Sequence, residues 1–160
     1  MKIRSESMTR RTVLCLVGPV LLETLAIARA DEPVVTVHKD PNCGCCTSWV
    51  GHLKGAGFTV RVEETPDLDL VRTRLGVPVD LVACHTAEVS GYVIEGHVPA
   101  LAIRRLLSER PKARGLAVPG MPVGSPGMEG GKPQPYTVVL FGPEGSRSFM
   151  RFNGTRPIEG

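Results

Sequence analysis

A chain of 160 residues and 17.2 kDa, 42% apolar and 22% charged, holds enough core-forming material for one folded domain and is too apolar for a disordered one. Aromatic residues make up only 4%, which leaves no stacking platform for single-stranded nucleic acid. The net charge of +3 lies wholly in residues 1–30, where five basic groups face two acidic ones; the rest of the chain is neutral and lacks the basic footprint of a nucleic-acid binder.

Residues 1–30 read as a secretory signal. A basic start ending in Arg10-Arg11 precedes an apolar run from Val13 to Ile27, and Ala28-Arg29-Ala30 supplies a small–x–small cleavage site. Gly18, Pro19 and Glu23 interrupt the run, which falls short of the roughly 20 apolar residues a bilayer span needs. Thr9 to Leu14 also resembles a twin-arginine export signal, so both export routes stay open. The expected organisation is a signal peptide at 1–30 and one periplasmic domain at 31–160, with no membrane span in the mature chain. Cys15 leaves with the signal, and four cysteines remain: Cys43, Cys45, Cys46 and Cys84.

The elements follow in order. Pro33 to Lys39 is short and β-branched and predicts a buried strand. Asp40-Pro41-Asn42 is turn chemistry, and Cys46 to Ala56 predicts a helix with Trp49, Val50 and Leu53 on its apolar face and His52 exposed. Phe58 to Val62 predicts a second strand, and Pro66 to Leu75 a second helix closed by Gly76. Leu81 to Val89 and Tyr92 to Glu95 predict two strands joined at Ser90-Gly91. Pro99 to Arg110 predicts a third helix that buries Leu101, Ile103, Leu106 and Leu107. Arg114 to Pro135 reads as a Gly/Pro-rich loop carrying Met121 and Met128, and Tyr136–Phe141 with Arg147–Phe152 as a last hairpin. The class is α/β, with a β-α-β-α-β-β-α order of thioredoxin-like type followed by the loop and hairpin.

The cysteine cluster falls between the first strand and the first helix. Adjacent Cys45 and Cys46 pair only in a strained ring, so three thiols in four residues make a poor staple and a good redox or metal site. Cys43-Gly44-Cys45-Cys46 is a CxxC with a third cysteine inserted, and a helix N-terminus favours its thiolates. Thiolate is both the nucleophile and the soft-metal ligand, so position alone leaves both roles open. Glutaredoxin-like proteins follow a Val–cis-Pro pair with two strands ending in glycines. Counting back from Glu95-Gly96 sets Cys84-His85 on that pair, which lies against the CxxC. The count predicts that Cys84 faces the Cys43–Cys46 loop, with His85 close by, and that oxidised, metal-free protein bridges Cys84 to a loop cysteine.

Three spaced motifs resemble the CopG-like copper-resistance family: His38 to Cys46, Cys84-His85-Thr86-Ala87, and Gly91 to Pro99. The resemblance covers roughly residues 33–152 and includes Gly120-Met121-Pro122 and Gly127-Met128. It implies an exported thioredoxin-like protein of periplasmic copper handling, with Cys43, Cys45, Cys46 and Cys84 as copper ligands and a periplasmic copper donor or acceptor as partner. Copper(I) is soft and suits thiolate and thioether, and four thiolates can bridge more than one ion. Zinc fits four cysteines less well, because its structural sites pair two separated CxxC knuckles. Secondary ligand candidates are His85, Met121 and Met128, the last two as a thioether cap. His97 reads as a cap of the third helix with a ligand role as the alternative, His38 as structural, and Trp49 as core beneath the site. The competing reading is a thiol–disulfide oxidoreductase in which Cys43 attacks and Cys46 resolves.

Overall fold

The computed structural model describes residues 33–159; the signal reading of residues 1–30 lies outside the described residues. Strand β1 (Val35–Lys39) buries Val35 and Val37 and is followed by helix α1 (Gly44–Gly55), strand β2 (Val60–Glu64) and helix α2 (Leu68–Leu75). Asp67 starts α2 by accepting the Leu70 N–H at 3.2 Å, the usual work of an Asp N-cap. Strands β3 (His85–Val89) and β4 (Tyr92–Glu95) form a hairpin, turned at Ser90 and Gly91 with φ of 49° and 83°. Helix α3 (Ala100–Glu109) then leads to β5 (Gly115–Ala117), β6 (Pro135–Gly142), β7 (Gly145–Asn153) and β8 (Arg156–Ile158).

All eight strands join one sheet in the order β2-β1-β3-β4-β5-β6-β7-β8. β1 runs parallel to β2 and antiparallel to β3, and β4 runs antiparallel to β3. The two faces bury separate clusters. On one, Trp49, Val50 and Leu53 of α1 and Ile103 and Leu106 of α3 pack on Val35, Val37, Ala87, Ile94, Leu116 and Val138. On the other, Leu75 of α2 and Leu81 pack on Val93, Ala117 and Phe141. The alternation of Val93 and Ile94 between clusters follows from the two-residue period of a strand.

Four expectations need correction. Residues 81–84 are not strand: a 3-10 turn spans Val79–Leu81, and side chains take both polar groups of the Ala83 backbone, so no ladder can use them. The predicted loop 114–135 contains β5, whose Gly-Leu-Ala sequence has no strand signature and pairs because β4 and β6 offer it both edges. Leu101 is 47% exposed, and Ala100 and Ala102 take its expected place in the core. His52 is half-buried rather than exposed, and its Nε2 accepts the Ala100 N–H at 3.1 Å, which ties α1 to the start of α3. His38 is structural as expected, buried between Glu63 at 3.3 Å and Glu88 at 3.0 Å.

Gly115 lets β5 join the sheet. A Cβ there would lie 1.8 Å from the Val93 carbonyl oxygen. Gly115→Ala should therefore separate β4 from β5 and cost about 3 kcal/mol or more by denaturant unfolding; an unchanged midpoint would contradict this account of the junction.

Candidate metal centre

The loop before the cysteines is shaped from below. Lys39, 4% exposed, donates from Nζ to the carbonyls of Asp40 at 2.9 Å and Pro41 at 3.3 Å. Asp40 accepts the Asn42 N–H on Oδ1 at 2.7 Å and the Cys43 N–H on its carbonyl at 3.1 Å. This Asx-turn feeds the chain into α1 with Cys43 as N-cap residue. No side chain caps the helix and its first turn holds no acid, so its leading N–H dipoles face the cysteines.

The four cysteines converge. One sulfur from each of Cys43, Cys45, Cys46 and Cys84 lies within 4.8 Å of the others. Cys43 and Cys46 are joined as a disulfide with Cα atoms 5.4 Å apart, while Cys45 and Cys84 are free. The Cys45 sulfur is 3.6 Å from that of Cys43 and 3.8 Å from that of Cys84. The Cys46 sulfur, fully buried, lies 3.5 Å from the Cys84 carbonyl oxygen. The bridge is thus within the CxxC, and Cys84, expected in a bridge, stands as a thiol beside Cys45.

Two imidazoles close the far side. His97 Nδ1 lies 2.7 Å from the Pro126 carbonyl, which can only accept, so Nδ1 carries the proton and Nε2 presents a lone pair. That Nε2 is 2.9 Å from the Cys84 sulfur. His85 Nδ1 is 3.5 Å from the same sulfur, and its buried Nε2 has no hydrogen-bond partner among the described residues. Cys84, His85 and His97 form a second group whose ligand atoms lie within 4.8 Å of one another. His97 therefore lies beside the cysteines, where the weaker of its two readings would have it. The signal for it in the sequence was its place two residues after the hairpin ends at Glu95.

Trp49 lies beneath, fully buried, its ring 4.3 Å from that of His85 and its Nε1–H donating to the Val98 carbonyl at 2.9 Å. The Gly/Pro-rich loop covers the other side through Gly127, at φ +88°. A Cβ on Gly127 would sit 2.6 Å from the Cys45 carbonyl oxygen and 3.2 Å from His97 Nδ1. Met128 follows directly and is half-buried, whereas Met121 is 53% exposed.

Burial sets the protonation of the site. It pushes the Cys84 thiol up to about 12, with the Cys45 charge and hydrogen bond adding to the shift. It pushes His85 down to about 3, helped by repulsion from His97, and lowers His97 as well. In the metal-free form the site thus holds two neutral imidazoles and a protonated Cys84. A bound cation reverses that preference by attracting thiolate. Binding through all four sulfurs also requires the Cys43–Cys46 bridge to be reduced first, since a disulfide sulfur carries no thiolate.

A family profile described as "Protein of unknown function, DUF411" matches residues 81–128, the span that holds Cys84, His85, His97 and the loop over the site. Two solved structures are similar. "Copper resistance protein copG- Form 2" is 44% identical with a TM-score of 0.72, and the match covers 76% of this chain and 99% of that one. "Copper resistance protein copG- Form 1" is 45% identical with a TM-score of 0.71, and the match covers 77% of this chain and 100% of that one. No curated protein matches the chain.

The neutral histidines predict how metal-free protein responds to acid. An unfolded chain protonates His85 near pH 6.5, whereas the folded one resists until about 3. The unfolded state therefore binds more protons in that window. Stability is full above about 6.5 and is lost as pH falls toward 3, by up to about 1.4 kcal/mol per pH unit for this one group. Denaturant unfolding across that range should show a shallower decline in His85→Phe; equal slopes in parent and variant would refute the assignment.

Proposed function

We propose, for a chain that belongs to the CopG-like copper resistance family, that it binds copper(I) through Cys43, Cys45, Cys46 and Cys84 in the periplasm. The observation that carries this reading is the convergence of four sulfurs within 4.8 Å, fed by a helix start and a separate turn. Soft thiolates select soft copper(I), and sulfurs this close can bridge two or more ions. The two neutral imidazoles would add nitrogen donors beside Cys84, and half-buried Met128 is a better candidate for a thioether cap than Met121, which is 53% exposed. The bound metal is cargo, held or passed to a periplasmic donor or acceptor protein.

The fold supports a thioredoxin-like reading of residues 31–160. Its first seven regular strands and helices run β-α-β-α-β-β-α, its first four strands lie in the order β2-β1-β3-β4, and the cysteines open α1. Among the described residues no helix is long and apolar enough to cross a membrane. Residues 1–30 act as the export signal in this reading, with cleavage after Ala30.

One observation favours a second reading. Cys43 and Cys46 pair as a disulfide, with Cys43 partly exposed and Cys46 buried. A thiol–disulfide oxidoreductase would attack through that accessible first cysteine and resolve through the second. Only the metal reading requires Cys45 and Cys84.

The deciding experiment is anaerobic loading of reduced protein with copper(I), followed by a count of metal per chain. Cys45→Ser and Cys84→Ser should each weaken copper binding by more than the roughly 10–100-fold that outer-shell changes cost, while Val82→Ser alters stability alone. If Cys45→Ser binds copper like the parent and Cys43→Ser abolishes disulfide reductase activity, the oxidoreductase reading replaces this one. Intact mass of protein expressed from the full chain should show Asp31 as the first residue; retention of Met1 in a membrane fraction would contradict export with cleavage.

A further inference from the structure

Cys84 sits in no regular element. It lies between the 3-10 turn Val79–Leu81 and β3, in a stretch whose backbone would be free to move unless something held it. Two charged side chains hold it. The Ala83 N–H donates to Glu95 Oε1 at 2.8 Å, and the Ala83 carbonyl accepts from Arg72 Nη2. Arg72 also donates from Nε to the same Glu95 oxygen at 3.2 Å. On the other side of Cys84, Thr86 Oγ1 donates to Glu95 Oε2 at 2.6 Å, and the Gly96 N–H donates to the His85 carbonyl at 2.9 Å. The residues flanking Cys84 are thereby bonded to Arg72 or to the Glu95-Gly96 end of β4.

The cost of this arrangement argues for a specific purpose. Glu95 is fully buried and the Arg72 side chain is 11% exposed. A buried ion pair gains little over apolar packing of the same volume, because taking both charges out of water offsets their attraction. What apolar side chains at these positions could not supply is the simultaneous capture of one residue's backbone donor and acceptor, which lie on the two peptide groups that flank Ala83. The captured residue immediately precedes the cysteine whose sulfur stands 3.8 Å from Cys45 and 2.9 Å from His97.

We propose that Glu95 and Arg72 are positioning residues of the metal centre: together they clamp the backbone of Ala83 on both sides, through its N–H and its carbonyl, and so fix the Cys84 sulfur against Cys45 and His97. The proposal rests on Cys84 serving as a ligand, as argued above. Both residues act through the backbone rather than on a sulfur. Arg72 comes from α2, on the face of the sheet opposite α1, so the clamp ties the Cys84 turn to an element that carries none of the cysteines.

The test reads thiol geometry without copper, so a protein that proved unable to bind copper would leave its result standing. Metal-free protein, with the Cys43–Cys46 bridge kept oxidised, is treated with dibromobimane, which becomes fluorescent on linking two neighbouring thiols. The parent should cross-link Cys45 to Cys84. Glu95→Leu and Arg72→Gln should slow that reaction about tenfold or more, since misplacing a reacting group by an ångström costs at least as much, with near-ultraviolet circular dichroism and cooperative unfolding kept. Glu95→Gln retains an acceptor for the Ala83 N–H and should restore most of the rate. Arg74→Gln, which breaks an exposed pair with Glu88, serves as the control and should react like the parent. If only one of the two disruptive variants folds, that one decides. Cross-linking at the parent rate in a folded Glu95→Leu or Arg72→Gln protein would overturn the proposal. So would failure of both to fold, because the pair would then hold the fold rather than the thiol.

Discussion

The contact between Cys45 and Cys84, 3.8 Å apart in space and 39 positions apart in sequence, is what the rest of the site depends on. Three cysteines in four residues supply sulfurs from one short segment alone. Bringing a fourth sulfur across from the turn before β3 encloses the cluster, and the same turn brings His85 with it. The sheet makes this approach routine, because β1 and β3 are antiparallel neighbours with Lys39 paired to His85. The end of β1 and the start of β3 therefore meet at one edge, and the cysteines on either side of that edge meet as well.

The ligand atoms around this contact are themselves uncharged. Both imidazoles are buried and neutral, Cys84 is held as a thiol, and Trp49 and Gly127 close the floor and the lid. An uncharged, partly dry cluster of soft donors gains most from a soft cation that converts thiol to thiolate. The same sulfurs also have a second state, since Cys43 and Cys46 can share a bond and give up their capacity to bind metal. Metal held by all four sulfurs and oxidation of the CxxC exclude one another at one place, so the proposed copper site would respond to the redox state around it.

Much of this was legible in the sequence because it is local. The strand–turn–helix pattern around Cys43, Cys45 and Cys46 follows from β-branched Val35 and Val37, the Asp40-Pro41-Asn42 turn and the spacing of Trp49, Val50 and Leu53. The placement of Cys84 was recoverable by counting back from Gly96 along the glutaredoxin-like pattern of pair, hairpin and glycine. What was not legible depends on partners remote in sequence. β5 is a strand only because β4 and β6 flank it, and β8 only because β7 presents an edge. Arg72 and Glu95 lie 23 positions apart on an unremarkable helix and a strand end, and no periodicity marks them as a pair. His97 looked like a capping residue, and only the Pro126 carbonyl, which fixes its tautomer, turns its lone pair toward Cys84.

X-ray absorption at the copper edge, on protein reduced and loaded anaerobically, tests the central claim most directly, because it reads the atoms bound to the metal. A convergent cysteine cluster predicts copper(I) in a first shell dominated by sulfur, with a copper–copper vector if sulfurs bridge more than one ion. A first shell of nitrogen and oxygen without sulfur would contradict it and move the metal away from Cys43, Cys45, Cys46 and Cys84.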